Sequence, residues 1–287
     1  MKKRSGILLL MPLTFWLVLF LILPYAFIFV QAFLKSDDFG KVIFHFNLDS
    51  FIKIFTINLY YATLARTFLY AVVVALACII ISLPMSYFIA FKTTRNKAIL
   101  YSLIVLPFWI SYIVRAYAWK IILGENGILN SFLINIHLIR APLSFLLYSN
   151  FATLVCLVYI LTPFVAIPVY TAFEQIPKPL IEASKDLGAG SWATFRKVIF
   201  PLALPGIISG GTFALVLTMG DFLAPLLLGG PNTLFISNIV QNLFGTSNDK
   251  PLGSALGIVI LALIVIVLEI STRAEKKFSS FKTESKS

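Results

Sequence analysis

Six long apolar runs constrain this chain more than any other feature of its sequence. Each is about as long as a helix must be to cross a bilayer, and none shows the alternation of a membrane β-strand. Helices satisfy their backbone amides internally, which lipid requires. We therefore predict an all-α polytopic membrane protein with six transmembrane helices, at about 7–33, 64–91, 98–122, 151–173, 204–228 and 253–272.

The composition supports residence in a membrane. The chain has 287 residues and is 59% hydrophobic and 12% charged, whereas soluble domains are about 45–50% apolar and about 25% charged. The net charge of +11 could suggest a nucleic-acid partner, but the basic residues lie between apolar runs. We therefore expect no nucleic-acid partner.

The first run is too long for a cleaved signal peptide and is expected to remain as an anchor.

The distribution of basic residues predicts the orientation of the chain. Fifteen of the 23 Lys and Arg residues lie at the two ends or in the loops that would share their side of the membrane. Basic segments are retained in the cytoplasm, so both termini are expected there, with 34–60, 123–150 and 229–252 outside. The same orientation makes the most polar loop, residues 181–201, cytoplasmic; we call it the polar insert.

The polar insert reads IEASKDLGAGSWATFRKVIFP and carries the signals of two short helices. Pro179 suits the first turn of a helix, and Gly188 suits the position just after its end. Ser191 is a candidate cap for a second helix, whose apolar stripe begins at Trp192. A nine-residue helix is only about 13 Å long, too short to span a membrane. We predict a surface helix that docks on another protein; the alternative is a plain amphipathic loop.

The polar insert resembles the EAA loop of bacterial ABC importer permeases. The pattern of that loop is EAA, three residues, G, nine residues, I, one residue, LP. Glu182, Ala183, Gly188 and Pro201 match it, and Ser184 replaces the third alanine. In that family the loop forms the coupling helix, which sits in a cleft of the nucleotide-binding subunit. The resemblance implies an ABC type I importer permease fold and an ATPase-coupling role for these five residues.

Three further segments, 107–130, 161–184 and 220–244, are similar to the B-type permease subunit of spermidine/putrescine importers. That subfamily also takes up other small cations, some organic acids and phosphonates. The resemblance implies one permease domain over 1–287, with a coupling loop at about 174–203, in the plasma (inner) membrane of a bacterium. It also implies four partners besides membrane lipid: ATPase subunits, a second and different permease subunit, an extracytoplasmic substrate-binding protein and a small-molecule substrate.

No motif assigns catalysis to this chain. A P-loop requires GxxxxGK[ST], but the one Gly-Lys pair, Gly40-Lys41, lacks both the earlier glycine and the hydroxyl residue. His45 and His137 are isolated in the predicted outer loops, so we expect neither a catalytic triad nor a metal site. The chain is predicted not to be an enzyme and to hold no cofactor, with ATP and Mg bound by the partner ATPase.

Asp221 is the candidate substrate contact, because it lies well inside a predicted span and away from its inner end. Carboxylates are costly in lipid, and such a residue indicates function by default. Together with aromatic faces it would suit a polyamine through charge and cation–π contacts. The candidate walls of this substrate pathway are Trp109, Tyr112, Tyr159 and Phe222. The alternative is a structural ion pair between Asp221 and Arg115.

Two functions remain open from the sequence. The first is the permease subunit of a binding-protein-dependent importer, for a polyamine or for another small organic solute. The second is an ion-coupled secondary transporter, which would show ionisable relays in several spans and matched inverted halves. The chain has one such carboxylate and no visible inverted halves, which favours the permease.

Overall fold

The computed structural model describes residues 12, 14–37, 42–231 and 233–284, which are predominantly helical. A bent pair of helical segments, Lys97–Trp109 and Tyr112–Asn135, provides a sixth crossing if it counts as one span. The predicted all-α polytopic fold is confirmed. The five helices that are long and apolar enough to cross a membrane are Thr14–Gln31, Asn58–Lys92, Asn150–Glu174, Ser191–Gly220 and Lys250–Phe278.

The described elements follow one another in a simple order. Two strands, β1 (Lys35–Ser36) and β2 (Val42–Ile43), form a small antiparallel ribbon. The α-helices are α1 (Leu23–Gln31), α2 (Asp49–Thr56), α3 (Asn58–Tyr87), α4 (Lys97–Val105), α5 (Tyr112–Leu123), α6 (Ile128–Asn135), α7 (Asn150–Glu174), α8 (Lys178–Asp186), α9 (Ser191–Thr194), α10 (Phe200–Gly220), α11 (Leu223–Leu228), α12 (Ile236–Phe244) and α13 (Lys250–Glu284). Shorter π-helical and 3₁₀ turns adjoin them at Val18–Ile22, Phe88–Lys92, Leu106–Trp109, Ser144–Leu146 and Phe195–Ile199.

The chain forms two compact units, of which the first contains residues up to Ala62 together with Ile239–Leu263. In this unit the helix that ends at Gln31 exposes most of its apolar side chains, as expected of a helix surrounded by lipid. Gln31 itself is buried, and its Oε1 accepts a hydrogen bond of 3.1 Å from the hydroxyl of Ser254. A polar contact of this kind between helices is favoured where water is absent.

The second unit contains Thr63–Asn238 and the chain from Ile264 onward, and it holds a large apolar core. Small polar side chains spaced four residues apart on α3 point at α7. Each bonds a backbone carbonyl 80 residues further along the chain: Cys78 Sγ to Val158 at 3.7 Å, Ser82 Oγ to Thr162 at 3.3 Å and Ser86 Oγ to Ala166 at 3.1 Å. Because donors and acceptors advance together, α3 and α7 run parallel, and their small residues allow close contact.

Helix α10 packs against α7 through glycines. A Cβ added to Gly206 would lie 2.5 Å from Cβ of Ala172 and 2.6 Å from the carbonyl oxygen of Pro168. One added to Gly210 would lie 3.0 Å from Cα of Val165. Residue numbers rise along one helix as they fall along the other, so the two helices are antiparallel.

Two of the predicted spans are interrupted. In the third, α4 passes into a 3₁₀ turn that contains Pro107, and the segments on either side of the break are bent by 94°. Proline donates no amide hydrogen bond, and Ile110 after the turn is extended, so the helix cannot continue. In the fifth, α10 ends at Gly220 and α11 begins at Leu223. These breaks position the polar groups of the candidate site.

Candidate functional site

Asp221 lies in the break between α10 and α11. Its backbone is extended, with a ψ of 127°, so the helix ends there. Its Oδ1 accepts hydrogen bonds of 2.9 Å from the backbone N–H groups of both Leu223 and Ala224. The carboxylate therefore caps α11, and a negative charge at a helix N-terminus is favourable.

Two side chains from the segment around the start of α12 satisfy the backbone carbonyls at this break. Ser237 Oγ donates to the carbonyl of Asp221 at 2.5 Å, and Asn238 Nδ2 donates to the carbonyl of Phe222 at 2.7 Å. A broken helix in lipid needs such partners for its free backbone groups. Sequence reasoning missed both residues, and the signal was an adjacent polar pair within an apolar segment.

Tyr112 provides the second contact of the carboxylate. It is the first residue of α5, immediately after the bend of the third span, and its hydroxyl donates to Oδ2 of Asp221. The two helix breaks therefore meet at this hydrogen bond. One carboxylate oxygen is held by two backbone amides and the other by a hydroxyl, which orients the group and leaves one acceptor site on Oδ2 for another donor.

The other candidate wall residues have different surroundings. Trp109 is 88% exposed, and Phe222 is 40% exposed beside Asp221 in the chain. Tyr159 packs edge-on against Trp119, with ring centroids 5.6 Å apart. Both rings line an apolar cavity of about 910 Å³ whose lining does not include Asp221. Within the described residues, Tyr112 is the predicted wall that contacts the carboxylate.

The structural ion pair considered for Asp221 is not found in the described structure. The guanidinium of Arg115 lies instead over the ring of Tyr112, with its central carbon 6.0 Å from the centroid of the ring. The residue is only 7% exposed, and its Nε and Nη1 have no hydrogen-bond partner among the described residues. Tyr112 thus contacts Arg115 with its ring and Asp221 with its hydroxyl.

The polar insert forms a helical hairpin. Helix α8 ends in a turn in which the N–H of Gly188 bonds the carbonyl of Lys185 at 2.8 Å and that of Ala189 bonds the carbonyl of Ser184 at 3.1 Å. This is the Schellman arrangement, and Gly188 adopts the positive φ of 79° that it requires. Helix α9 then begins and continues through a π-helical turn into α10.

One face of the hairpin, which we call the open face, is exposed. Glu182, Ala183 and Gly188 are exposed, as is Pro201 at the start of α10. The larger apolar side chains next to them are also uncovered: Leu187 is 89% exposed and Trp192 is 72% exposed. Exposed apolar side chains of this size mark a contact surface when they are grouped.

One detail of the hairpin differs from the sequence-based expectation. Ser191 does not cap the second helix. Gly190, which has no side chain to serve as a cap, occupies the cap position, and Ser191 is the first helical residue. The expectation was wrong because Gly190 already adopts the extended backbone that ends the turn, with a ψ of 166°.

In the described residues, no group of three or more His, Cys, Asp or Glu side chains could hold a metal ion.

Comparison with protein families gives one match over most of the chain. Residues 82–277 match the family described as binding-protein-dependent transport system inner membrane component. The matched range contains the polar insert and both helix breaks.

Curated relatives extend the likeness to nearly the whole chain. The spermidine/putrescine transport system permease protein PotB of Escherichia coli is 35% identical over 261 residues, which is 91% of this chain and 94% of that protein. PotB of Haemophilus influenzae is 32% identical over 91% of both chains. A putative 2-aminoethylphosphonate transport system permease of Salmonella typhimurium, PhnU, is 36% identical over 119 residues, which cover 41% of this chain and 42% of the relative.

Solved structures share the fold at low identity. A chain of a bacterial ABC transporter involved in the import of alginate superposes with a TM-score of 0.74 at 19% identity, covering 96% of both chains. A chain of the methionine ABC transporter MetNI superposes with a TM-score of 0.59 at 19% identity, covering 76% of this chain and 97% of that one. At these identities the likeness concerns the fold.

Proposed function

Because this chain belongs to the family of binding-protein-dependent transport system inner membrane components, we propose that it forms half of an import pathway for a polyamine such as spermidine or putrescine. The chain is a multi-pass inner-membrane permease subunit of an ABC importer, and ATP is bound and hydrolysed by a separate subunit.

The observation that carries the polyamine assignment is the carboxylate of Asp221 at the meeting point of two helix breaks. Interrupted helices within membrane proteins commonly form substrate sites. A cation in a low-dielectric pathway requires partial neutralisation of its charge, and this carboxylate with the adjacent ring of Tyr112 supplies it. The 35% identity to a spermidine/putrescine permease over 91% of the chain supports the same substrate class.

The polar insert is proposed to couple the chain to its ATPase. The proposed coupling residues fall on or beside the open face of the hairpin: Glu182, Ala183, Ser184, Gly188 and Pro201. The small side chains among them allow close approach of a partner backbone. Exposed Leu187 and Trp192 add apolar area to that contact. The hairpin would therefore enter a groove of the ATPase as a short amphipathic element.

The assembly follows from this role. One permease chain forms part of a pathway, so we propose a second, different permease subunit, ATPase subunits, and an extracytoplasmic substrate-binding protein. We also propose that residues 1–287 act as a single permease domain with six spans and with both termini in the cytoplasm. We also propose that the other predicted walls, Trp109, Tyr159 and Phe222, line the same substrate pathway.

The experiment that tests the substrate assignment is the variant Asp221→Asn. Asparagine keeps the oxygen that caps α11 but removes the charge, so we expect uptake of labelled spermidine by the reconstituted complex to fall about tenfold or more, with normal assembly. Asp249→Asn is the matched control, because Asp249 Oδ1 also bonds the start of a helix, at the N–H of Leu252. Normal spermidine uptake by Asp221→Asn would contradict the assignment of a polyamine substrate to this site.

A further inference from the structure

Arg115 is a buried cation, two of whose three guanidinium nitrogens have no hydrogen-bond partner in the described structure. It is 7% exposed, and neither Nε nor Nη1 is hydrogen-bonded. Burial of an unpaired guanidinium is costly, and such residues inside membrane proteins are retained for function. Since nearly all buried polar groups are bonded, the two free nitrogens call for an explanation.

The surroundings of Arg115 point to Asp221. The guanidinium carbon lies 6.0 Å from the ring centroid of Tyr112, and the hydroxyl of that tyrosine bonds Oδ2 of Asp221. One tyrosine therefore contacts the buried positive charge with its ring and the carboxylate with its hydroxyl. Both charges thus lie beside the same tyrosine, and no hydrogen bond or ion pair joins them in the described structure.

We propose that Arg115 is a release residue, whose charge competes with a bound ammonium group for Asp221. The inference rests on the proposed function, in which Asp221 holds a cationic substrate. A carboxylate alone in an apolar pathway would bind a polyamine too tightly to let it leave. A fixed positive charge beside the ring of Tyr112 lowers the affinity of the carboxylate for the cargo, and the free N–H groups of Arg115 can bond Asp221 once the cargo moves.

The same observations admit two other roles for Arg115, and each predicts a different outcome. If Arg115 bound an anionic group of the substrate, its loss would weaken substrate binding. If it paired with an acidic residue of another subunit, its loss would prevent assembly, because the partner charge would be left buried and unpaired. Competition with the cargo predicts the opposite of both: tighter binding by an assembled complex.

The experiment uses the purified complex with all its subunits. Arg115→Gln removes the charge and keeps polar groups, and Arg115→Met removes both, so that one variant remains informative if the other fails to assemble. We expect labelled spermidine to bind about tenfold more tightly to either variant, because an opposing charge has been removed. ATP-driven uptake in proteoliposomes should fall about tenfold because release is slow. Arg115→Lys should restore both values, and Arg140→Gln, at an exposed arginine, should change neither.

The outcomes separate this inference from the proposed function. Weaker or unchanged binding by the assembled Gln and Met variants would overturn the release role, as would failure of both to assemble. The gain in affinity should also vanish when Asp221→Asn is combined with Arg115→Gln, since the effects of energetically coupled groups are non-additive. If Asp221→Asn alone left binding intact, the proposed function would fall as well; if Asp221→Asn abolished binding and Arg115→Gln had no effect, only the release role would fall.

Discussion

The hydroxyl oxygens of Ser184 and Thr194 lie 3.1 Å apart and join the two helices of the polar insert by a hydrogen bond. Thr194 is buried, with 2% of its surface exposed, so the bond is on the inner side of the hairpin. Ser184 stands where the family pattern has a third alanine, and here its hydroxyl helps to close the hairpin. The shape of the proposed docking surface therefore depends on the turn between these residues.

The turn should require glycine at position 188 but tolerate another residue at position 190. A Cβ at either glycine would meet no atom within 4 Å, but Gly188 has a φ of 79° and Gly190 has a φ of −67°. Gly188→Ala should destabilise the hairpin by about 1 kcal/mol through backbone strain and reduce substrate-stimulated ATP hydrolysis. Gly190→Ala, the matched control, should retain it. Equal activity of the two variants would contradict a requirement for the left-handed turn.

The charge of Glu182 should matter for coupling. This side chain is exposed on α8, next to Ala183 on the open face of the hairpin. Glu182→Lys should lower ATP-driven uptake about tenfold or more and weaken co-purification of the ATPase, because it reverses a charge at the proposed interface. Glu269→Lys is the control: it reverses an exposed charge whose 2.7 Å ion pair with Arg273 lies within one helix. Similar losses in both variants would point to a general charge effect.

The orientation can be tested with single cysteines. Ser36→Cys, in the first predicted outer loop, should react with an impermeant thiol reagent in intact cells, whereas Ser191→Cys, in the polar insert, should react only after permeabilisation. The native Cys78 and Cys156 are both fully buried and should give little background. Labelling of Ser191→Cys from outside would reverse the proposed topology.

The glycine contact between α7 and α10 should be intolerant of larger residues. In Gly206→Ala the new methyl group would clash with Cβ of Ala172 and the carbonyl of Pro168, at 2.5 and 2.6 Å. We expect a loss of about 1–3 kcal/mol, seen as a lower unfolding temperature of the detergent-solubilised complex. Gly220→Ala at the end of the same helix meets nothing within 4 Å and should unfold like the parent. An unchanged unfolding temperature for Gly206→Ala would mean that the helices can separate without cost.

The sequence by itself determined the membrane-spanning character, the helical class and the position of the polar insert. These are local properties: the length of an apolar run, the absence of alternation and the placing of Pro179 and Gly188 can be read within a short window. The family resemblance carried by Glu182, Ala183 and Gly188 is likewise local, which is why it could be recognised over some 20 residues.

Only the tertiary structure decided what surrounds Asp221. Its hydrogen bond with Tyr112 joins residues 109 positions apart, and its backbone carbonyl is held by Ser237, 16 positions further on. Sequence reasoning chose Tyr112 from a set of aromatic residues that it could not rank, and it expected Arg115 only as an ion-pair partner. Contacts between helices depend on which faces of them pack together, and nearly uniform apolar segments carry too little periodicity to fix those faces.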